Sequence, residues 1–148
     1  MNICEWRIGS TLEEWETVSR SIEELDSKGF SDGFKHSFIL ALDETFANIS
    51  AYAYAPHGGQ VTIKSEYLLT QSERMAKITF TDGGKRFNPV TDGALPDTKE
   101  NIAAKRTNGG LGIFIIKKQT DKLEYLYENE TNNLTLIKKE AIEQGGVL

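Results

Sequence analysis

Apolar residues in the first part of the chain recur at spacings that predict a short strand followed by an amphipathic helix. Residues 2–8 alternate between apolar and polar side chains, which is the period of a half-buried strand. Ser10 or Thr11 can cap the helix that follows, and we expect it to end at Lys28 and Gly29. Its apolar residues recur at steps of three and four, as on one face of a helix: Leu12, Trp15, Val18, Ile22 and Leu25.

A second predicted helix starts at Ser31 or Asp32 and runs to about Ala55. One of its faces carries large apolar side chains, and the opposite face carries Glu44 and Asn48 among small alanines. A helix that is apolar or small nearly all round is typical of one that is covered on both sides.

Beyond the second helix, period-two patterns predict strands, with one further helix between them. We expect strands over 60–66 and 77–81, a loop over 83–108, a helix over 109–120, and hairpin strands over 122–127 and 133–139. A loop of about 25 residues is unusual inside a compact domain unless it has a function. The order of elements predicts one α+β domain over 1–148, a two-layer α/β sandwich. Its mixed, mainly antiparallel sheet would be covered on one face by about three helices.

Composition narrows the classes of function. The chain has 148 residues and a formal net charge of −5, which disfavours a nucleic-acid binder. The single cysteine, Cys4, excludes an internal disulfide and a Cys-based zinc site, and the presence of only two histidines argues against a His-rich metal site. The sequence contains neither a membrane-spanning apolar run nor a signal-peptide pattern, so we expect a cytoplasmic location.

Glu44 and Asn48 form the first candidate site, because residues four apart on a helix share one face. A carboxylate beside an amide oxygen can hold Mg²⁺ directly or through its waters, and the carboxylate can also orient or deprotonate a nucleophile. The plainer alternative is a solvent-facing polar pair. Ala41, Ala51 and Ala55 favour a small, concave face with room for a ligand.

Asp82 and Gly84 form the second candidate site, directly after the predicted strand 77–81. A carboxylate at a sheet edge, followed by glycines that allow close backbone approach, can accept a hydrogen bond from an exocyclic amine such as that of adenine. The alternative is an ordinary Asp-Gly turn.

The third candidate site is a glycine cluster, Gly109, Gly110 and Gly112, at the start of the last predicted helix. Free backbone N–H groups and the helix dipole at such a point can cradle a phosphate, although glycines are also ordinary turn formers. Lys105 and Arg106 lie just upstream, and an arginine can bind phosphate with two parallel hydrogen bonds. The alternative for this pair is a solvated basic dipeptide.

Thr135, in the last predicted strand, has a hydroxyl that can bond either a ligand base or the backbone. It completes an ordered series: E-x-x-x-N on a helix, D-x-G after a strand, a long loop, and G-G-L-G opening a helix. This order resembles the Bergerat-fold (GHKL, histidine-kinase-like) ATP-binding superfamily, and most closely its small branch, the bacterial anti-sigma-factor serine/threonine kinases. The stretch 40–54 is similar to that branch's Asn-containing helix, and 109–125 to its glycine-box helix and following strand.

The resemblance implies a role for each residue of the first two sites. Asn48 would coordinate Mg²⁺ between the phosphates of ATP, and Glu44 would be the general base toward a partner's Ser or Thr hydroxyl. Asp82 would accept a hydrogen bond from the adenine amine, and Gly84 would let the base lie against the backbone. Thr135 would support the adenine end through its hydroxyl.

The resemblance also implies a phosphate-binding segment. Gly109, Gly110, Leu111 and Gly112 would wrap the phosphates, and Arg106 would contact them from an ATP lid that forms the long loop, ending at about residue 109. Two further positions depart from the usual pattern of these kinases.

Those departures are Arg86 and Tyr52. Arg86 stands where the superfamily often has the second glycine of D-x-G-x-G, and Tyr52 stands where related kinases often carry a histidine.

The function implied by the resemblance is that of an ATP–Mg²⁺-binding anti-sigma factor that regulates transcription. It would have serine/threonine protein kinase activity toward a STAS-type anti-anti-sigma factor. A sigma factor would be the alternative partner, the first strand can serve a homodimer interface, and no nucleic-acid or membrane partner is expected. Two other interpretations stay open: a non-catalytic ATP-sensing module that holds a regulatory partner, and a structural α+β domain without a nucleotide site.

Overall fold

The computed structural model describes residues 2–22, 25, 28–54, 58–92 and 111–143. Within these ranges the chain forms five strands, four α-helices and one π-helical segment that continues the second helix. In chain order they are β1 (Asn2–Gly9), α1 (Leu12–Ile22), α2 (Asp32–Asn48), the π-helical segment (Ile49–Ala53), β2 (Gln60–Leu69), β3 (Glu73–Asp82), α3 (Pro89–Asp92), α4 (Leu111–Gln119), β4 (Lys122–Glu128) and β5 (Thr131–Ala141).

The five strands form one sheet in the order β1-β2-β3-β5-β4. Every pairing in it is antiparallel. The sequence had predicted a mixed, mainly antiparallel sheet, whereas the described sheet is wholly antiparallel. Strands β4 and β5 are joined by Asn129 and Glu130, whose φ angles are 53° and 59°. Two consecutive positive φ angles match the twist of a two-residue hairpin, so β5 folds back tightly between β3 and β4.

One face of the sheet carries the apolar core, and the helices cover that face. Strand residues alternate between buried and half-buried because neighbouring side chains point to opposite faces. Trp15 of α1 stacks on Phe46 of α2 with ring centroids 5.1 Å apart, and its ring lies 5.6 Å from that of Phe80 on β3. These contacts join two helices to the sheet, which confirms the predicted α+β fold with helices on one face.

Polar side chains at the helix starts decide between the alternative caps. The backbone N–H of Glu14 donates to the Thr11 hydroxyl at 3.3 Å, and that of Phe34 donates to the Ser31 hydroxyl at 3.2 Å. Thr11 and Ser31 therefore begin the two helices. The Ser10 hydroxyl instead accepts from the Gly59 N–H at 3.1 Å and ties β1 to the start of β2.

Several predicted boundaries were wrong. Helix α1 ends at Ile22 rather than at Lys28 and Gly29. Leu25 continued the apolar spacing because it is buried in the same core, although it lies beyond the helix. Strand β3 begins at Glu73 and not at residue 77. No helix in the described part of the chain is long and apolar enough to cross a membrane.

Candidate functional site

Helix α2 carries Glu44 and Asn48 on the face that meets α4, and both side chains are half-buried. Gly112 is the second residue of α4. A Cβ atom at Gly112 would lie 2.6 Å from Oε2 of Glu44 and 3.7 Å from Oδ1 of Asn48. Real side chains do not approach so closely, so the glycine lets the start of α4 approach this carboxylate and amide. The structure thus brings together three of the predicted site residues.

The first turn of α4 begins at Leu111. The first N–H groups of any helix have no partner within the helix, and the dipole adds partial positive charge at that end. Gly112 lies within this turn, so a carboxylate, an amide oxygen and an electropositive helix start converge at one place. Arg106, Gly109 and Gly110 lie outside the described residues, as do 93–110 as a whole.

Asp82 ends β3 and points to the helix-covered face, with only 5% of its surface exposed. Its Oδ1 accepts hydrogen bonds from the backbone N–H of Gly84 at 3.0 Å and from Nδ2 of Asn132 at 2.9 Å. Burial raises the pKa of Asp82, and these two hydrogen bonds, Asn132 first, oppose the rise. Asp82 therefore lies at the strand end, where the sequence placed it, and it is buried, which the sequence did not predict.

Gly84 lies against the end of the π-helical segment. A Cβ atom at Gly84 would meet the carbonyl oxygen of Ala53 and lie 2.7 Å from its carbonyl carbon. The next residue, Lys85, donates its backbone N–H to the same carbonyl oxygen at 3.0 Å. The close approach made by Gly84 is therefore to the protein's own backbone, whereas the resemblance had implied a close approach to a ligand base.

Asn132 is the site residue that sequence reasoning missed. It lies directly opposite Asp82 in the β3–β5 ladder and is 5% exposed. Besides its bond to Asp82, Nδ2 donates to the carbonyl oxygen of Lys85 at 3.0 Å. Its Oδ1 accepts from the N–H of Phe87 at 3.2 Å and from the Tyr125 hydroxyl at 2.5 Å. Placing the hairpin turn at 129–130 and counting along the ladder would have found it.

Thr135 is not brought to this site. It lies three positions after Asn132 on β5, and an odd separation along a strand places two side chains on opposite faces. Its hydroxyl lies 2.9 Å from that of Thr79, directly across the ladder on the face away from the helices. The role implied for Thr135 beside the adenine is therefore wrong in this geometry, and Asn132 holds the position next to Asp82.

Tyr54, which the sequence did not single out, fastens three segments together. Its hydroxyl donates to the carbonyl oxygen of Gln60 at 2.7 Å and accepts from the Gly83 N–H at 2.5 Å. A Cβ atom at Gly59 would lie 2.5 Å from the ring, so only glycine fits there. Burial raises the pKa of Tyr54; the Gly83 hydrogen bond opposes this, and the nearby Asp82 charge adds to it.

Of the two residues that depart from the usual kinase pattern, Arg86 and Tyr52, the structure describes the side chain of Arg86 only. The guanidinium carbon of Arg86 lies 4.7 Å from the ring centroid of Tyr127 on β4, so this side chain anchors the loop to the outer hairpin. The side chain of Tyr52 lies outside the described residues. In the described part of the chain, no three His, Cys, Asp or Glu side chains are grouped as metal ligands.

Helix α2 connects the two groups of residues. Glu44 and Asn48 lie in its second half, and Ala53 ends its π-helical continuation. At 1.5 Å per residue, Glu44 and Ala53 are about 13 Å apart along the axis. The site therefore has two ends on one helix, with a buried carboxylate near Ala53 and a half-buried carboxylate and amide beside Gly112.

The family model described as "Histidine kinase-like ATPase domain" matches residues 8–138, which is most of the chain. No curated protein matches the chain. The matched range includes both ends of the site, from the α2 residues to Asn132 on β5.

Proposed function

Because this chain belongs to the histidine kinase-like ATPase family, we propose that it binds ATP with Mg²⁺ and acts as an anti-sigma factor. In this proposal it phosphorylates a Ser or Thr of a STAS-type anti-anti-sigma factor. The observation that carries the proposal is the approach of Gly112 to Glu44 and Asn48, with a Cβ position only 2.6 Å from the Glu44 carboxylate. We call these three residues the phosphate end, and Asp82, Gly84, Asn132 and Tyr54 the base end.

At the phosphate end the donor set fits a magnesium phosphate. Mg²⁺ is usually bound through one or two protein oxygens together with substrate phosphates and water, and when bound it neutralises charge on the phosphates. The Asn48 amide oxygen, 3.7 Å from the Cβ position of Gly112, would be such a protein ligand. The N–H groups of the first turn of α4 would donate to phosphate oxygens.

Glu44 would be the general base of phosphoryl transfer. It would take the proton of the partner's Ser or Thr hydroxyl as that oxygen bonds to the γ-phosphorus and the bond to the bridging oxygen of ADP breaks. Its side chain is half-buried, so a partner's hydroxyl can reach it from solvent. Positioning by α2 and α4 would supply most of the remaining rate enhancement.

Asp82 would recognise the base. Both hydrogen bonds that it accepts from described residues go to Oδ1. No described residue donates to Oδ2, which can therefore accept from the exocyclic amine of adenine.

The test is transfer of labelled γ-phosphate from ATP to a purified STAS-type anti-anti-sigma factor. We expect label on that protein, and a loss of at least about 100-fold in Glu44→Gln with ATP binding retained. Glu16→Gln, a change of the same kind at an exposed position of α1, is the control and should leave transfer unchanged. Bound ATP without any labelled STAS protein would contradict the kinase proposal.

A non-catalytic ATP-sensing module is the second candidate function. The closeness of Glu44 to the start of α4 favours it, because a carboxylate in that position can order α4 without meeting a partner's hydroxyl. Glu44→Ala separates the two functions. Loss of phosphorylation with intact partner binding supports the kinase, whereas unchanged regulation of the partner supports the module.

A further inference from the structure

Asn132 is buried, and its amide is held in one orientation by its neighbours. On one side Nδ2 faces three acceptors: Oδ1 of Asp82 at 2.9 Å, the carbonyl oxygen of Lys85 at 3.0 Å and that of Gly84 at 3.5 Å. On the other side Oδ1 faces two donors, the Phe87 N–H and the Tyr125 hydroxyl. Exchanging the positions of Oδ1 and Nδ2 would place the Nδ2 donor against the Phe87 N–H donor and Oδ1 against the acceptors. The hydrogen-bond network therefore fixes Nδ2 as the atom that faces Asp82.

This fixed amide determines how Asp82 presents its carboxylate. Nδ2 of Asn132 and the N–H of Gly84 both donate to Oδ1. An ionised carboxylate only accepts hydrogen bonds, and its second oxygen has its own lone pairs. With Oδ1 occupied and no described donor on Oδ2, the carboxylate presents a fixed acceptor and cannot exchange its two oxygens without breaking two bonds.

We propose that Asn132 is the positioning residue that makes the base end select a purine with an exocyclic amine over one with a carbonyl group at the same position. The inference rests on the proposed ATP site. Asn132 would not touch the base, since its amide is fully engaged by Asp82, the 84–87 loop and Tyr125. It would act through Asp82, by holding Oδ2 in place as a hydrogen-bond acceptor. An amine can donate to this acceptor, whereas a carbonyl oxygen cannot, because it is itself an acceptor.

A purely structural role is the competing explanation, because Asn132 also straps the 84–87 loop to β5. The bonds to the Lys85 carbonyl and the Phe87 N–H belong to that strap, whereas the bond to Asp82 belongs to recognition. A variant that keeps only the bond to Asp82 separates the two roles.

Asn132→Thr and Asn132→Val form the matched pair for this purpose. Both are β-branched, suit a strand and lose the strap, and they differ only in the hydroxyl. A threonine can reach across these two strands, as shown by the Thr79 and Thr135 hydroxyls, which lie 2.9 Å apart at another directly opposed pair. Asn132→Thr therefore keeps a donor to Asp82, and Asn132→Val does not.

The measurement is the dissociation constant of Mg-ATP and of Mg-ITP for the wild-type protein and both variants, by calorimetry. ITP carries a carbonyl group where ATP carries the amine. We expect Asn132→Thr to keep the wild-type preference for ATP within about threefold, and Asn132→Val to lose about tenfold of it, since one hydrogen bond to a charged group is removed. Equal preference in the wild type and Asn132→Val would overturn the inference while leaving the ATP site standing.

Two further outcomes are decisive. A wild-type protein that binds neither nucleotide overturns both the proposed function and this inference. If Asn132→Val does not fold, Asn132→Asp replaces it, because its carboxylate still accepts from the Phe87 N–H and the Tyr125 hydroxyl. Two carboxylates in contact repel each other, so Asp82 loses the donor that holds Oδ1 and no longer presents Oδ2 in its wild-type orientation. We then expect at least a tenfold loss of ATP preference, and an unchanged preference would overturn the inference.

Discussion

The base end and the phosphate end are built on the same helix, but they differ in how their residues are held. At the base end, Asp82 and Asn132 are each 5% exposed, and their side chains are bonded to one another and to the loop that follows β3. At the phosphate end, Glu44 and Asn48 are half-buried and meet α4 through a glycine. The base end is thus fixed by hydrogen bonds within the protein, whereas the phosphate end is a half-buried carboxylate and amide beside the start of a helix.

Two glycines, one at each end, give the sharpest contrast. At Gly112 a Cβ atom would meet the far end of a flexible glutamate, and at Gly84 it would meet the fixed backbone of Ala53. The same Gly→Ala change should therefore affect activity at the phosphate end and stability at the base end.

Gly112→Ala should have the largest effect, and on activity alone. The added methyl group displaces Glu44, and a misplacement of about 1 Å in a catalytic group can cost about 100-fold in rate, which we expect for phosphate transfer to the STAS protein. The free energy of unfolding should stay within about 1 kcal/mol of wild type, because alanine favours the helix and the glutamate can move. Denaturant unfolding and the transfer assay measure the two effects, and a variant that unfolds easily would contradict this account of the phosphate end.

Gly84→Ala should reduce the free energy of unfolding by about 1–3 kcal/mol, because the loop that contains Gly84 must move away from the backbone of Ala53. Gly33→Ala is the matched control, since nothing lies within 4 Å of a Cβ atom at that position of α2. It should leave stability unchanged or raise it by up to about 1 kcal/mol. Equal unfolding midpoints for Gly84→Ala and wild type would mean that the base end is not rigid.

Asp82→Asn should change how stability depends on pH. Burial raises the pKa of Asp82 above the ordinary value of 3.8, so the folded protein holds this proton more tightly than the unfolded chain does. The proton bound to Asp82 therefore contributes fully to the free energy of unfolding below pH 3.8, and this contribution is lost as the pH rises through the raised pKa. Asp82→Asn removes this decrease in stability with rising pH. The stability of the variant relative to wild type should therefore be greater at pH 7 than at about pH 4.

The same substitution should weaken ATP binding. In Asp82→Asn the remaining side-chain oxygen can still accept from Gly84 and Asn132, but the new amide group would then donate toward the adenine amine. Unfolding curves at the two pH values and calorimetry on one preparation test both parts. A variant that tracks wild type at both pH values, with unchanged ATP affinity, would show that Asp82 is neither a buried charge nor a base contact.

Thr135→Val should have the smallest effect. It removes the hydroxyl that lies 2.9 Å from that of Thr79 on the face away from the helices. The expected cost is about 1 kcal/mol of stability, with no change in the dissociation constant of Mg-ATP. A weaker ATP complex in Thr135→Val would revive a role for this residue at the base end.

Local spacing predicted the parts of the site that depend on one element. Glu44 and Asn48 follow from helical periodicity alone, because four residues always return to the same face. Asp82 follows from its position at the end of an alternating run. The approach of Gly112 to α2 was not predicted, since no local pattern states which helix a glycine will meet.

The register of β5 against β3 was not predicted from the sequence. The predicted turn over 128–132 hid Asn132, whereas the observed turn occupies only Asn129 and Glu130 and leaves Asn132 inside β5. Thr135 was favoured because its hydroxyl could bond a ligand base, but an odd separation from Asn132 puts it on the other face. Which strands are neighbours, and in which register, depends on long-range pairing that composition and spacing do not encode.

The most direct test of the two-ended site is a calorimetric titration of the wild-type protein with Mg-ATP, followed by thermal unfolding at rising ligand concentration. The account predicts saturable heat for one site per chain and an unfolding temperature that rises with ligand, because a ligand that binds the native state must stabilise it. Absence of saturable heat, with an unchanged unfolding temperature at millimolar Mg-ATP, would contradict it.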